Sequence, residues 1–135
     1  MVTASHENAD LDWAFDDNLD TLWQSGAEQN GTEWIEMRLD RPRNIGLVRF
    51  DMGAADSITD FPRRVLIESS HDGREFRELY EGDVLTQLLQ GLVQDADRTP
   101  IAIVLPDNDT VTLRIRQTGQ AINWWSISEL SIWER

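Results

Sequence analysis

The chain has 135 residues, of which 40% are hydrophobic, and a formal net charge of −13. This size and apolar content fit one globular domain that buries its own core, and they argue against disorder. The chain contains no cysteine, which excludes a disulfide framework, thiolate catalysis and zinc–thiolate sites. The acidic balance, with no local block of basic residues, argues against nucleic acid and anionic lipid as partners.

Alternating apolar residues predict a series of short, half-buried strands. In chain order the alternating sets are Ile35, Met37 and Leu39; Val65 and Ile67; Ile101, Ile103 and Leu105; Val111, Leu113 and Ile115; and Leu130 and Ile132. Turn-forming residues separate these sets at Arg41-Pro42, Phe61-Pro62, Asp72-Gly73 and 106–109. Short strands with intervening turns predict an all-β sandwich or barrel.

Two local patterns add detail to this series. The Asp72-Gly73 pair lies between the strand-like segments 65–68 and 75–80, which predicts a β-hairpin. The leucines of residues 85–92 have helical spacing, but Gly91 and the short length leave two alternatives, a short helix or a packed loop.

A polar segment near the beginning of the chain, residues 16–21, contains three acids, an amide and a hydroxyl. Calcium takes about six to eight oxygen ligands, and an Asp- and Asn-rich turn supplies several of them. The same residue types also favour turns that bind no metal, so composition alone leaves both interpretations open. The segment lacks the Gly and the closing Glu of an EF-hand loop.

This segment resembles the signature of the discoidin family, the coagulation factor 5/8 type C domains, which reads Ala-x-Asp-Gly-Asn-x-x-Thr-x-Trp-x-Ser. The matching residues are Ala14, Asp16, Asn18, Thr21, Trp23 and Ser25. Weaker matches follow in the family's order at 31–39, 61–63, 70–76, 113–115 and 125–130. The resemblance implies an antiparallel β-sandwich, a discoidin-type jelly roll of the galactose-binding-domain-like kind. It also implies a single module, residues 1–135, excised from a larger protein.

The resemblance further implies a structural calcium ion, because in the sugar-binding branch (family 32 carbohydrate-binding modules) a cation ties the first loop to the last strand. Carried over by position, the side-chain ligands are Asp16, Thr21 and Glu129, and the carbonyl ligands belong to Trp13, Asn18 and Ser128. Two carboxylates would neutralise the ion while neutral oxygens complete its shell. Asp17 replaces the family's Gly, and Asp tolerates a positive φ better than most residues.

Six tryptophans are the second signal. We expect core positions for Trp23, Trp34 and Trp133, and partial burial for Trp13. Trp124 and Trp125 are adjacent, so in a strand they face opposite sides. The family pattern assigns Trp125 to the core and Trp124 to an exposed rim, where an indole could support the apolar face of a sugar ring. A partly covered surface residue is an equally good interpretation of Trp124.

Sugar binding also needs planar polar side chains that satisfy neighbouring hydroxyl groups. The candidates to accompany Trp124 are His6, Asn8, Gln117, Asn123 and Arg64. A wider set in predicted loops or near strands also qualifies: Glu7, Gln24, Gln29, Asn30, Gln120 and Arg116. The resemblance does not select among them, and each is equally a solvated loop residue.

These observations predict a non-catalytic carbohydrate-binding module that accompanies a larger carbohydrate-active or cell-surface protein. Its partners would be a glycan or polysaccharide and other domains of its parent chain, in an extracellular, periplasmic or cell-surface location. Two histidines and no glycine-rich phosphate loop give no basis for an enzyme. The main alternative is a protein-interaction or structural spacer module without a sugar site. It predicts a wide, flat exposed rim with no aromatic platform, and a buried Trp124 would favour it. Membrane binding through Ile58 and Ile122 is disfavoured by the acidic surroundings.

Overall fold

The computed structural model describes residues 1–53 and 58–135, and this part of the chain is dominated by strands. The strands are β1 (Val2–Ala4), β2 (Trp23–Gln29), β3 (Glu33–Arg43), β4 (Ile45–Asp51), β5 (Val65–Ser70), β6 (Arg77–Gly82), β7 (Pro100–Val104), β8 (Thr110–Gln117), β9 (Ala121–Ile127) and β10 (Glu129–Glu134). One α-helix, α1, spans Leu85–Gln94, and 3₁₀ helices span Asn8–Ala14 and Ile58–Asp60.

The described strands form a five-stranded sheet, a three-stranded sheet and a two-stranded ribbon, with antiparallel pairing throughout. The larger sheet has the order β1-β3-β8-β5-β6, the smaller one β10-β4-β7, and the ribbon pairs β2 with β9. The predicted antiparallel β-sandwich is confirmed. Because β9 and β10 are separated only by Ser128, the chain passes from the ribbon to the smaller sheet at one corner.

Alternate residues of the strands meet in one apolar core. Ile35, Ile67 and Ile115 are fully buried on the inner face of the larger sheet. The rings of Trp23 and Trp125 meet edge to face, with centroids 5.2 Å apart, as the ring quadrupoles favour. Burial of both indoles therefore anchors the β2–β9 ribbon to the core.

Two predicted core tryptophans are wrong. Trp34 is only half-buried, because it lies on the outer face of β3 while its neighbours Glu33 and Ile35 point inward. Trp133 is 41% exposed and lies under the guanidinium of Arg49, 4.8 Å from the ring centroid. Both had been assigned by residue type, whereas the two-residue period of a strand decides which face each side chain occupies.

The predicted turn at Arg41-Pro42 is also wrong, because β3 continues through these residues to Arg43. The pairing of β3 with β8 shifts register between Arg38 and Arg43. An irregular stretch of strand accommodates proline, which has no N–H for a regular ladder. The chain turns at Asn44 instead.

The predicted hairpin is confirmed as β5 paired with β6. Asp72 organises its turn, since Oδ1 accepts hydrogen bonds from the backbone N–H groups of Arg74 (2.8 Å) and Glu75 (2.9 Å). Gly73 has a φ of 78°, a conformation that suits glycine.

The helical alternative for residues 85–92 is correct. Within α1, Leu88 and Gly91 are buried, while Leu85, Leu89 and Val93 are exposed. A Cβ on Gly91 would lie 1.9 Å from the carbonyl oxygen of Pro100. Glycine therefore allows α1 to lie close to the beginning of β7.

Candidate functional site

The first feature of interest is the corner, defined here as the loop 16–21 together with Ser128 and Glu129. The hydroxyl oxygen of Thr21 lies 2.5 Å from Asp16 Oδ2 and 2.9 Å from the carbonyl oxygen of Asn18. The Asp17 backbone N–H donates to Glu129 Oε2 (3.0 Å), and the Ser128 hydroxyl donates to the Leu19 carbonyl (3.0 Å). The loop near the beginning of the chain and the β9–β10 junction are thus in direct contact.

Asp17 has a φ of 55°, in the left-handed region where the resembled family has Gly. Asp adopts this conformation more readily than most residues because its short polar side chain bonds locally. The conformation places the Asp17 N–H within bonding distance of Glu129. The replacement of Gly by Asp is therefore compatible with the loop geometry.

The chemistry of the corner suits a hard cation. Asp16 Oδ2, Thr21 Oγ1 and the Asn18 carbonyl oxygen converge within hydrogen-bond distance, and such oxygens are typical calcium ligands. Burial, together with the charges of Asp16 and Asp17, raises the pKa of Glu129, so added positive charge would be favourable there.

Only two of the predicted ligand side chains are acidic. Residues 1–53 and 58–135 contain no group of three or more His, Cys, Asp or Glu arranged to hold a metal. A cation at the corner would therefore depend on neutral hydroxyl and carbonyl ligands. Of the residues assigned carbonyl ligands, Trp13 is 49% exposed at the end of the first 3₁₀ helix, and Ser128 is fully buried.

Next to the corner, the buried carboxylate of Asp51 forms ion pairs with two arginines. Asp51 is fully buried; Oδ1 lies 3.0 Å from Arg49 Nε and Oδ2 lies 2.6 Å from an Arg98 nitrogen. The Asp51 carbonyl accepts a hydrogen bond from the Ser128 N–H (2.8 Å). Asp51 was not identified from the sequence, because nothing in its local pattern marks a buried acid.

The second feature is the outer face of the β2–β9 ribbon, the side opposite Trp125, formed with one residue of the second 3₁₀ helix. Trp124 is 43% exposed on this face, which agrees with both interpretations of this residue. Its cross-strand partner is Glu28, and Ser126, two residues further along β9, pairs with Gln24. Since residues two apart in a strand share a face, these side chains lie side by side. We call Gln24, Glu28, Asp60, Trp124 and Ser126 the outer face; Glu28 and Trp124 are exposed, Gln24 and Asp60 are half-buried, and Ser126 is fully buried beneath them.

A hydrogen-bonded chain runs beside the exposed indole. Gln24 Nε2 donates to the Ser126 hydroxyl (3.4 Å), which donates to Asp60 Oδ2 (2.7 Å). Glu28 is exposed and forms no hydrogen bond or ion pair with any residue that the structure describes. The outer face therefore combines one aromatic surface with two carboxylates and an amide.

Gln29 and Arg63 connect the outer face to the loop that precedes β5 by hydrogen bonds on the buried side of the ribbon. Gln29 is 3% exposed; Nε2 donates to the carbonyls of Phe61 (3.0 Å) and Trp124 (3.2 Å), and Oε1 accepts from the Arg63 N–H (3.1 Å). The Arg63 guanidinium donates to Asn123 Oδ1 (3.0 Å) and to the carbonyls of Phe61 and Thr59. Asn123, a predicted sugar-binding residue, thus lies at the border of the outer face.

The other predicted sugar-binding residues are distributed differently. Asn8 bonds both ways to the backbone of Ala4, and Gln117 is fully buried with Oε1 accepting from the Gly119 N–H (2.7 Å). His6 Nδ1 lies 2.7 Å from the Ser5 hydroxyl, and Arg64 pairs with Glu81 (2.6 Å). The amides of Asn8 and Gln117 serve the fold, and we leave both out of the site proposed below.

Sequence analysis missed Glu28, Asp60 and Ser126 as members of the face. The two-residue period of β9 could have found Ser126, since it is two positions from Trp124. Glu28 required the pairing register of β2 with β9, which is irregular between Gln24 and Glu28. Asp60 comes from a separate segment of the chain.

A larger open groove, of about 540 Å³, lies at the opposite end of β8, between the turns that follow β5 and β7. Its charged groups largely pair with one another. His71 Nδ1 is 2.9 Å from Asp109, and Arg77 donates to the Asp107 carbonyl (2.7 Å). The outer face, with the exposed Trp124 and with Glu28, which has no ion pair among the described residues, therefore offers more unengaged chemistry than this groove.

The geometry also bears on the two alternative functions, protein interaction and membrane binding. A buried Trp124 would favour a protein-interaction or spacer module, whereas this side chain is 43% exposed. Of the two proposed membrane spikes, Ile122 is 81% exposed, but Ile58 packs against the core, so this pair is wrong. The one α-helix of the described residues has ten residues, and no helix in this part of the chain has the length and apolar character needed to cross a bilayer.

Structural comparison places the fold among carbohydrate-binding modules. The module CpGH89CBM32-5 from Clostridium perfringens, in complex with GalNAc-β-1,3-galactose, has a TM-score of 0.75 and 16% identity, covering 98% of this chain and 94% of that one. Chitosan-binding module 1 from a Paenibacillus sp. IK-5 chitosanase/glucanase has a TM-score of 0.71 and 20% identity, covering 98% and 93%.

A third similar structure contains the CBM32-1, CBM32-2 and M60 catalytic domains of Clostridium perfringens ZmpB. It has a TM-score of 0.76 and 18% identity, and the match covers 100% of this chain and 14% of that one. A search of curated protein sequences found no significant match.

The architecture is that of the galactose-binding-like β-sandwiches, with a loop near the beginning of the chain joined to its last strand. The family model of the F5/8 type C domain matches residues 2–130. The chain belongs to the F5/8 type C domain family.

Proposed function

We propose that this chain is a non-catalytic carbohydrate-binding module whose sugar site is the outer face. The observation that carries the proposal is the exposed indole of Trp124 beside the chain from Gln24 through Ser126 to Asp60. An indole presents a flat apolar surface to the C–H face of a sugar ring. The neighbouring amide and carboxylates supply the donors and acceptors that hydroxyl groups require.

The similar structures support this proposal, since they include modules that bind GalNAc-β-1,3-galactose or chitosan. Asn123 would contribute at the border, where Arg63 fixes its side-chain oxygen and leaves its amide nitrogen to donate. His6 and Arg64 remain candidates for more distant contacts with a longer glycan.

We further propose that the module accompanies a larger carbohydrate-active or cell-surface protein that acts outside the cytoplasm. The support is the ZmpB structure, in which domains of this fold share a chain with a catalytic domain. In this arrangement the module would hold a glycan while a neighbouring domain performs the chemistry.

The corner is our proposed site for a structural calcium ion. Side-chain oxygens of Asp16, Thr21 and Glu129 and the carbonyls of Trp13, Asn18 and Ser128 would hold it. Bound there, calcium would supply charge neutralisation and link two distant segments of the chain, which adds to folding stability.

A glycan array followed by calorimetry tests the sugar site. Trp124→Ala should weaken binding of any glycan that is found by about tenfold or more, because the variant loses the stacking surface. Trp133→Ala is the matched control, since Trp133 is similarly exposed on the smaller sheet and should leave affinity unchanged. Absence of binding to every glycan at millimolar concentration would exclude the proposed function.

A further inference from the structure

The outer face carries more negative charge than a site for a neutral sugar requires. Glu28 lies directly across from Trp124 and forms no ion pair or hydrogen bond with the described residues. Asp60 adds a second carboxylate, half-buried beside Ser126. A third acid, Glu7, borders the ribbon, with Oε1 3.2 Å from the position of a Cβ on Gly26.

The nearby guanidinium of Arg63 interacts with the charge of Asp60, so it offsets that carboxylate in part, but it forms no ion pair with Glu28. Arg63 donates to the carbonyls of Phe61 and Thr59 and to Asn123, and it stacks on the Phe61 ring at 3.9 Å. These contacts hold the guanidinium between the loop that precedes β5 and Asn123 of β9. Glu28 therefore faces solvent next to the indole without a cation of its own.

A neutral sugar ring stacked on Trp124 would displace water from Glu28 and would replace it only with hydrogen bonds from sugar hydroxyl groups. Covering a carboxylate without a compensating charge is unfavourable, whereas an ammonium group would both donate hydrogen bonds and neutralise it. An ammonium close to an indole is also attracted by the ring face. The chain's net charge of −13 draws cations and repels uronic acids or sulfated sugars.

We infer that the outer face selects a saccharide that carries a free, protonated amine, such as a glucosamine-containing oligosaccharide, with Glu28 as the group that recognises the ammonium. This inference rests on the proposed sugar site and specifies its ligand class. Glu28 is a specificity residue in this scheme, because Trp124 would stack on any sugar ring of suitable shape.

Calorimetry with three oligosaccharides of equal length tests the inference: β-1,4-linked glucosamine, its fully N-acetylated counterpart, and an oligogalacturonate. At about pH 6 a sugar amine is protonated, and the glucosamine oligomer should bind about tenfold more tightly than the acetylated one. Its affinity should decrease with added salt, and the oligogalacturonate should not bind.

Glu28→Gln should reduce the preference for the amine to about threefold or less while binding of the acetylated oligomer persists. Glu78→Gln is the matched control, because it removes the same charge from an exposed position on β6 and should preserve the preference.

The two proposals fail in different ways. Equal or tighter binding of the acetylated oligomer, weakened by Trp124→Ala, would overturn the amine inference and keep the sugar site. Binding of the glucosamine oligomer that Trp124→Ala and Glu28→Gln leave unchanged would overturn both, as would no binding of any oligomer or glycan.

Discussion

The corner and the outer face are both polar, but their groups are used in opposite ways. In the corner, Asp16 and Thr21 bond to each other, and Ser128 and Glu129 bond to the loop from more than 100 positions away in the chain. On the outer face, the indole of Trp124 and the carboxylate of Glu28 are exposed and have no such contacts. The corner groups hold distant parts of the fold together, while Trp124 and Glu28 are available to a ligand. Gln24 and Asp60 keep unused donors and acceptors beside their bonds to Ser126.

The largest expected effect is on the free energy of unfolding, and it distinguishes the two tryptophans on opposite sides of β9. Trp125→Ala should lower the free energy of unfolding by about 3–5 kcal/mol, because it leaves a cavity against Trp23 and Phe50. Trp124→Ala should lower it by less, about 1–2 kcal/mol, since 43% of the side chain is already exposed. Urea unfolding measures both. A large loss for Trp124→Ala would show that the outer face is part of the core.

The next effect concerns calcium. If the corner holds the ion, calcium at about 100 times its dissociation constant should raise the free energy of unfolding by about 2.7 kcal/mol over the chelated protein. Thermal unfolding with calcium or EDTA tests this. The increment should disappear in Glu129→Gln and persist in Glu78→Gln. An equal increment in both variants would place the ion elsewhere.

Gln29 lies behind the outer face, and its replacement tests how far that face depends on buried hydrogen bonds. Gln29→Ala removes three hydrogen bonds, to the Phe61 and Trp124 carbonyls and from the Arg63 N–H. Of the two carbonyls, only that of Phe61 keeps another side-chain donor among the described residues, Arg63, and the loss should cost about 1–3 kcal/mol. The comparison variant is Gln24→Ala, which loses a single contact of 3.4 Å and should cost about 0.5 kcal/mol or less. Chemical denaturation of the two variants gives the difference, and equal costs would contradict it.

The smallest effect is at Asp17. Alanine lacks the side chain that eases a positive φ, so Asp17→Ala should cost about 1 kcal/mol. Asp17→Gly should stay within about 0.5 kcal/mol of the natural chain, because relief of strain offsets greater freedom in the unfolded state. Unfolding measured in EDTA separates this backbone effect from any metal. A greater loss with Gly than with Ala would contradict the explanation.

The corner was accessible from sequence because its loop is local: Asp16, Asn18 and Thr21 lie within six residues and match a family signature. The strands were accessible for the same reason, since alternation is read from neighbouring residues. The contact with Glu129 followed only from the resemblance, because nothing local links residues 112 positions apart.

The outer face could be found only in part. Trp124 was identified from its neighbour Trp125, but Glu28 depends on a strand register that includes an irregularity. Gln117 shows the converse problem. Its loop-like surroundings suggested exposure, yet the amide is buried beside Glu33, with Nε2 3.3 Å from Oε2. Burial of such polar residues is set by tertiary hydrogen bonding, which the local sequence does not record.

Helix α1 has a consequence for solubility. It packs beside β7, which is the last strand of its sheet in the described part of the chain. Unpaired strand edges invite association with other chains, and a helix lying against one obstructs that route. Because Gly91 is what allows the close approach to Pro100, a larger side chain there would displace the helix and expose the edge. Aggregation, rather than loss of ligand, is the failure expected from changes at this position.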